Sequence, residues 1–198
     1  MKKKLNIFTL VFVILIGLST ENCSSNDDGE NQNNPPSNPA VTEGSGNNDV
    51  LVWSDEFDGD GSINNEFWNY ETGGGGWGNQ EVQVYTTNST NIVKDNGVLK
   101  ITAVKESNGT YTSARITTQS KVDFKYARID IRAKLPSMAG TWPALWMIGS
   151  NFSSVGWPKC GEIDIMEQFA NKTYVQATCH WDHNGGNANY GLPMNLST

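Results

Sequence analysis

Hydrophobic and polar positions alternate in short bursts over most of the chain after residue 50, the period-2 pattern of strands with one buried face. The clearest burst is 126–135, where Ile129, Ile131, Ala133 and Leu135 alternate with Arg128, Asp130, Arg132 and Lys134. Segments 81–85, 98–104, 111–119, 144–149, 162–169 and 174–181 predict further strands, and Leu51-Val52-Trp53-Ser54-Asp55-Glu56-Phe57 opens the folded part. No window sustains a helical period. Many short strands parted by Gly-rich turns predict an all-β fold, an antiparallel β-sandwich.

The first 50 residues break this pattern. Met1-Lys2-Lys3-Lys4 and the apolar run 5–18 have the charged start and short hydrophobic stretch of an export signal, too short for a comfortable membrane span. Cys23 follows, then the acidic stretch 24–30. The whole looks like a bacterial lipoprotein start, predicting a signal peptide over 1–22 with Cys23 lipidated. Thr20-Glu21-Asn22 departs from the small residues usual before such a Cys, and an ordinary secretory signal is the alternative. Residues 23–49, mostly Asn, Ser, Asp, Gly and Pro, hold almost nothing that could enter a core and read as a disordered linker. The folded domain is then 50–198. The product is expected to be exported, as a cell-surface lipoprotein of the outer membrane or as a secreted protein.

Charge narrows the partners. The chain of 198 residues carries a formal net charge of −7. Residues 1–22 hold three Lys and one Glu, so their removal leaves −9. An acidic protein of this kind is no partner for nucleic acid, and meets a membrane only through a lipid anchor; it suits a neutral polymer. A monomer is expected. After Cys23 only Cys160 and Cys179 remain, and strand parity sets Cys160 with Glu162 but Cys179 opposite to His180. Two free, largely buried thiols and no disulfide follow.

The candidate chemistry sits in Gly161-Glu162-Ile163-Asp164-Ile165-Met166-Glu167-Gln168. Alternation puts Glu162 and Asp164 on one face and Ile163 and Ile165 on the other. A β-bulge near Ile165-Met166 restores Glu167 to the acidic face and returns Met166 to the core. A solvated acidic strand is the bland alternative, but like charges aligned on one face repel and need a reason. Glycoside hydrolysis supplies one: two carboxyl groups flank the scissile bond, roughly 5–5.5 Å apart when configuration is retained. Glu162 and Glu167 lie about four strand steps apart, roughly 13 Å at Cα, so only long side chains leaning inward close the gap. Crowded negative charge then keeps one Glu protonated while another ionises.

This octapeptide resembles the active-site signature of glycoside hydrolase family 16, in its bulged, laminarinase-like form. The resemblance spans about 51–192 and implies a concanavalin A-like β-jelly roll with a concave substrate cleft. It implies Glu162 as nucleophile, Glu167 as general acid/base and Asp164 as the residue that orients and tunes the nucleophile. It further implies a retaining endo-β-1,3-glucanase acting on laminarin-type β-glucan, with no required cofactor. Such domains run on for several more strands, so the fold is expected to be incomplete at the C-terminus and the chain a fragment. The alternatives are another specificity of the family (agarase, carrageenase, mixed-linkage glucanase) or a carbohydrate-binding surface lipoprotein without catalysis.

Sugar contacts are sought among aromatic and polar side chains. Trp142 and Trp146 share strand parity, while Leu145 and Met147 face the core; cleft positions and sandwich packing are the two alternatives for the pair. The Gly-rich loop Gly73-Gly74-Gly75-Gly76-Trp77-Gly78-Asn79-Gln80-Glu81 is followed by no helix or Lys-Ser/Thr, so it is no phosphate cradle. It resembles the family segment whose Asn reaches the sugar, which implies Asn79 and, beside it, Trp77 as substrate contacts. Arg115 is likewise an implied contact, against a surface salt bridge. His180 is expected across from the catalytic strand on its acidic face, and Trp157 as a roof over the cleft. Glu56 and the backbone of Gly97 resemble two ligands of a structural Ca²⁺.

Overall fold

The structure, a computed structural model, describes residues 8–16, 51–169 and 173–196. Cys23, the linker 23–49 and most of the signal segment lie outside the described residues. The largest sheet is antiparallel. From one edge it runs β13 (Gly186–Asn195), β12 (Tyr174–His183), β11 (Glu162–Glu167), β10 (Thr141–Gly149), β1 (Phe8–Ile16), β8 (Arg115–Thr117) and β2 (Asn69–Glu71), with β9 (Asp123–Phe124) also paired to β1. A second sheet joins β3 (Gln83–Tyr85), β7 (Tyr111–Ser113) and β6 (Val104–Lys105), and β4 (Ile92–Lys94) pairs with β5 (Leu99–Ile101). The β3–β7 pair is parallel. Among the described residues the one helix is the single turn α1 (Phe152–Val155). All-β architecture is therefore as the sequence predicts.

Two local features set the geometry of β10 to β13. At the end of β10, a Cβ on Gly149 would meet the Cys160 carbonyl oxygen at 2.1 Å. Glycine lets the chain cross there, and Gly149 N–H donates to the Gly161 carbonyl at 3.0 Å, delivering the backbone into β11. Between β12 and β13, Asn184 (φ 54°) and Gly185 (φ 85°) form a two-residue turn with both central residues left-handed. That turn matches strand twist and locks a ten-pair ladder from His183↔Gly186 to Tyr174↔Asn195. Elsewhere Ile116, Ala114, Trp68, Ile92 and Ile63 are buried, and Phe57 stacks on Trp68 at 5.9 Å. Burying each large apolar side chain is worth about 1.5–3 kcal/mol.

Four expectations change. Segment 126–135 carries no strand, although Ile129 and Ile131 remain less exposed than Arg128, Asp130 and Arg132. The edge of β10 is taken by β1, which pairs with it along nine residues, from Phe8↔Gly149 to Ile16↔Thr141. The apolar run of the predicted export signal thus fills the position beside the central strand. Segment 51–57 carries no strand either. The β13 strand was not anticipated, because Gly, Asn and Pro193 mask its alternation; as the last strand of the sheet it tolerates the missing N–H of Pro193. Finally, Cys160 and Cys179 are both free, but only Cys160 is buried. Cys179 shares a face with Ala177, Tyr190 and Leu192 across the β12–β13 ladder, and all four are exposed. Among the described residues nothing covers that face.

Candidate active site

The bulge is present in β11. Against β12 the ladder reads Asp164↔Thr178 and then Glu167↔Gln176, three steps on one strand facing two on the other. Against β10 it reads Trp146↔Asp164, Leu145↔Met166 and Ala144↔Glu167, so Ile165 is the residue without a counterpart. Glu162, Asp164 and Glu167 consequently stand opposite Ile148, Trp146 and Ala144 on one face. A regular pleat would have turned Glu167 away.

That face is half-dry. Asp164 is buried, with Glu162 and Glu167 partly so. Burial first, and the Asp164 charge second, push Glu162 up to about 7; the Trp157 indole and His180 pull the other way. The same two causes push Glu167 up to about 8, opposed by the Trp142 indole N–H, which donates to Glu167 Oε1 at 2.9 Å. Both glutamates are thus held toward their protonated forms, and each does so through the same burial and the same neighbouring charge. His180 lies across from Glu162, its Nε2 3.2 Å from Asp164 Oδ2 and its Nδ1 3.3 Å from Asn187 Oδ1. The Asp164 carboxylate beside it raises its pKa against the effect of burial. Ligand atoms of Glu162, Asp164 and His180 all fall within 4.8 Å of one another, a donor set that would also accept a divalent cation.

Beside the acids stands an aromatic wall. Tyr85 and Ala144 form its buried centre, with Trp77, Trp142, Trp146 and Ile148 packed around them. Trp142 leans on Phe169 at 4.9 Å. Both Trp142 and Trp146 are therefore on the acidic face, where the sequence left two alternatives. Trp77 meets Tyr85 edge-on at 5.3 Å. The Arg115 guanidinium sits between rings, 4.7 Å from Trp77 and 4.9 Å from Trp146, and its Nε is paired with Glu71. Arg115 and Glu71 line a cavity of about 210 Å³ together with Trp146 and Ile148, the β10 residues opposite Asp164 and Glu162. Trp157, 45% exposed, stands 5.9 Å from the His180 ring at the other flank.

Asn79 lies on the loop before β3, exposed, its Nδ2 donating to Glu81 Oε1 at 3.4 Å. Glu56 is exposed, and Gly97 occupies the β4–β5 turn with φ 71°. One carboxylate and one carbonyl are two of the six to eight oxygens that Ca²⁺ takes, so this pair alone does not make a calcium site. Sequence reasoning missed Glu71, Asn187, Tyr85 and the buried Glu81. The Arg115 partner of Glu71 is visible only in the strand register; Glu81 closes the Gly-rich segment that resembles the family's, but alternation would have exposed it.

The family model described as "XgeA-like, catalytic GH16 domain" matches residues 70–192. The chain is 48% identical over 136 residues to a beta-glucanase of Rhodothermus marinus, covering 66% of this chain and 48% of that protein. It is 40% identical over 149 residues to glucan endo-1,3-beta-glucosidase A1 of Niallia circulans, covering 67% of this chain and 21% of the relative. The X-ray structure of the laminarinase from Rhodothermus marinus superposes with a TM-score of 0.67 at 43% identity, over 74% of this chain and 61% of that one. The chain spans about half or less of the length of these two curated relatives.

Proposed function

Because the chain belongs to glycoside hydrolase family 16, with the jelly-roll fold of its laminarinase members, we propose that it is catalytic sequence of a retaining endo-β-1,3-glucanase acting on laminarin-type polysaccharide. One observation carries the reading: the bulge that brings Glu162, Asp164 and Glu167 to one face, with both glutamates held well above the ordinary carboxylate range.

The chemistry follows from which proton sits where. Glu162, at the position the family resemblance gives to the nucleophile, attacks: its carboxylate oxygen bonds to the anomeric carbon as the glycosidic C–O bond breaks. Glu167 gives its proton to the departing oxygen, leaving a glycosyl-enzyme and an ionised Glu167. A water then loses a proton to Glu167 and attacks the same carbon, releasing Glu162 as carboxylate. Asp164 keeps Glu162 from ionising too readily, and the His180 ring paired with it limits the net negative charge of the group. The indole of Trp142 orients Glu167. Trp77, Trp146, Arg115, Asn79 and Trp157 are the sugar contacts of this reading. The Ca²⁺ that the resemblance implies would be structural and has no step in the reaction. Export, by a lipidated Cys23 or by secretion, belongs to the same proposal, because the polymer cannot enter a cell.

Reducing-end release from laminarin, lichenan, agarose and carrageenan tests the reading. Laminarin is expected to be cut fastest, and Glu162→Gln to abolish the cleavage with the fold retained. Cleavage of agarose or carrageenan alone would replace the substrate class; binding of laminarin without any cleavage would favour a carbohydrate-binding protein.

A further inference from the structure

The segment leading into β3 turns an unexpected face inward. Alternation offers Val82 and Val84 as its core residues, yet they are 39% and 41% exposed, while Glu81, Gln83 and Tyr85 are buried. Burying a carboxylate is costly unless partners replace water. Here Tyr85 Oη donates to Glu81 Oε2 at 2.6 Å and Gln83 Nε2 to the same oxygen at 2.7 Å, while Asn79 Nδ2 donates to Oε1 at 3.4 Å. Every partner is a donor, which is the company an ionised carboxylate accepts. Arg115 adds attraction from β8, although burial still raises the Glu81 pKa.

What this carboxylate holds is the sugar-facing loop. Asn79 is its direct partner. Tyr85, fixed by the Glu81 hydrogen bond, meets Trp77 edge-on at 5.3 Å. Trp77 in turn lies 4.7 Å from Arg115. We propose that Glu81 is a positioning residue for glucan binding. It grips Asn79 by the amide NH₂, so that Oδ1 faces away as an acceptor for a sugar hydroxyl, and through Tyr85 it fixes the Trp77 ring. The identity of the ligand rests on the glucanase reading above; the claim about Asn79 is about orientation.

A Glu81→Gln substitution keeps size and removes the preference, because the new amide lets Asn79 turn either way. With the full chain and a laminarin oligosaccharide of fixed length, KM should rise about five- to tenfold with kcat within twofold, since the three acids are untouched. Adding Asn79→Asp should recover most of the loss: the amide introduced by the first change then donates to the carboxylate introduced by the second, whose other oxygen again faces outward. A merely structural Glu81 predicts a lower Tm, no selective change in KM and no rescue. Should Glu81→Gln fold poorly, Tyr85→Phe keeps the ring against Trp77 and removes one donor; a two- to threefold rise in KM is expected. An unchanged KM in the folded variants overturns the positioning role while leaving the glucanase reading intact. A wild-type chain that neither cuts nor binds laminarin overturns both.

Discussion

Replacing Asp164 with Asn should slide the pH profile of hydrolysis toward acid. Asp164 is buried between the two glutamates in sequence and raises both of their pKa values. One of its oxygens lies within 4.8 Å of one on Glu162. A unit charge at that distance, in surroundings of effective dielectric about 20, is worth about 3.5 kcal/mol, or about 2.5 in pKa. His180, held by Asp164 and more readily protonated because of it, cancels part of that. A fall of about one pH unit is the working expectation.

The sign is fixed by the direction of charge. Removing a negative neighbour makes ionisation easier, so Glu162 becomes a carboxylate at lower pH and the acidic limb of kcat/KM moves down from about 7. Glu167 loses its proton more readily too, so the alkaline limb moves down from about 8. The assay is kcat/KM on a soluble laminarin oligosaccharide from pH 4 to 10 for wild type and Asp164→Asn. Two limbs that stay in place, or that move upward, would refute the account of Asp164 as the source of the raised values. Movement of the acidic limb alone would confine its influence to Glu162.

Four further outcomes are expected. Trp142→Phe removes the indole donor that favours ionised Glu167, so the alkaline limb should move up by about half a pH unit or more, opposite to Asp164→Asn. Glu167→Gln should abolish turnover yet stabilise the fold. A carboxyl with a raised folded pKa contributes stability below about pH 4.5 that is lost as pH climbs through about 8, so Tm should exceed wild type by several degrees at pH 9 and match it near pH 5. Gly149→Ala should cost several kcal/mol, read by urea denaturation, because its Cβ would fall 2.1 Å from the Cys160 carbonyl. Deleting residues 1–22 removes β1 and frees the β10 edge; hydrogen exchange should then slow over 128–134 as that segment takes the edge, and unchanged exchange would refute the competition.

What was legible in the sequence follows from where pattern and packing agree. The bulged strand could be read because Ile163, Ile165 and Met166 break a period of two in a way that only one extra residue repairs, and the ladder repairs it there. Trp142 and Trp146 were readable as a pair, but not their side, since parity alone cannot tell a cleft from a core. Around β3 the rule inverts: polar side chains that satisfy one another can be buried while valines face water, and no count of hydrophobic positions anticipates that. β13 was hidden by composition, although Asn184-Gly185, both left-handed, was the turn signal that announced it.

The error at 126–135 has a different origin, and it bears on function. Its alternation is the best strand pattern in the chain, and the structure gives it no strand. Alternation specifies a face; it does not specify a neighbour. The β10 edge that could receive such a strand is held by Phe8–Ile16, a run apolar in sequence except for Thr9. Two segments therefore suit one edge, and β10 is the strand whose Trp146 and Ala144 stand opposite Asp164 and Glu167. If Phe8–Ile16 is the export signal its sequence suggests, the strand beside the acidic one has one partner before processing and another after it. The wall carrying Trp142 and Trp146 would then take its final form only once the signal is gone, so hydrolysis per folded molecule should be higher in the chain lacking residues 1–22 than in the full chain. Equal specific activity in the two, with both folded by near-UV circular dichroism, would show that the occupant of that edge is indifferent to the site.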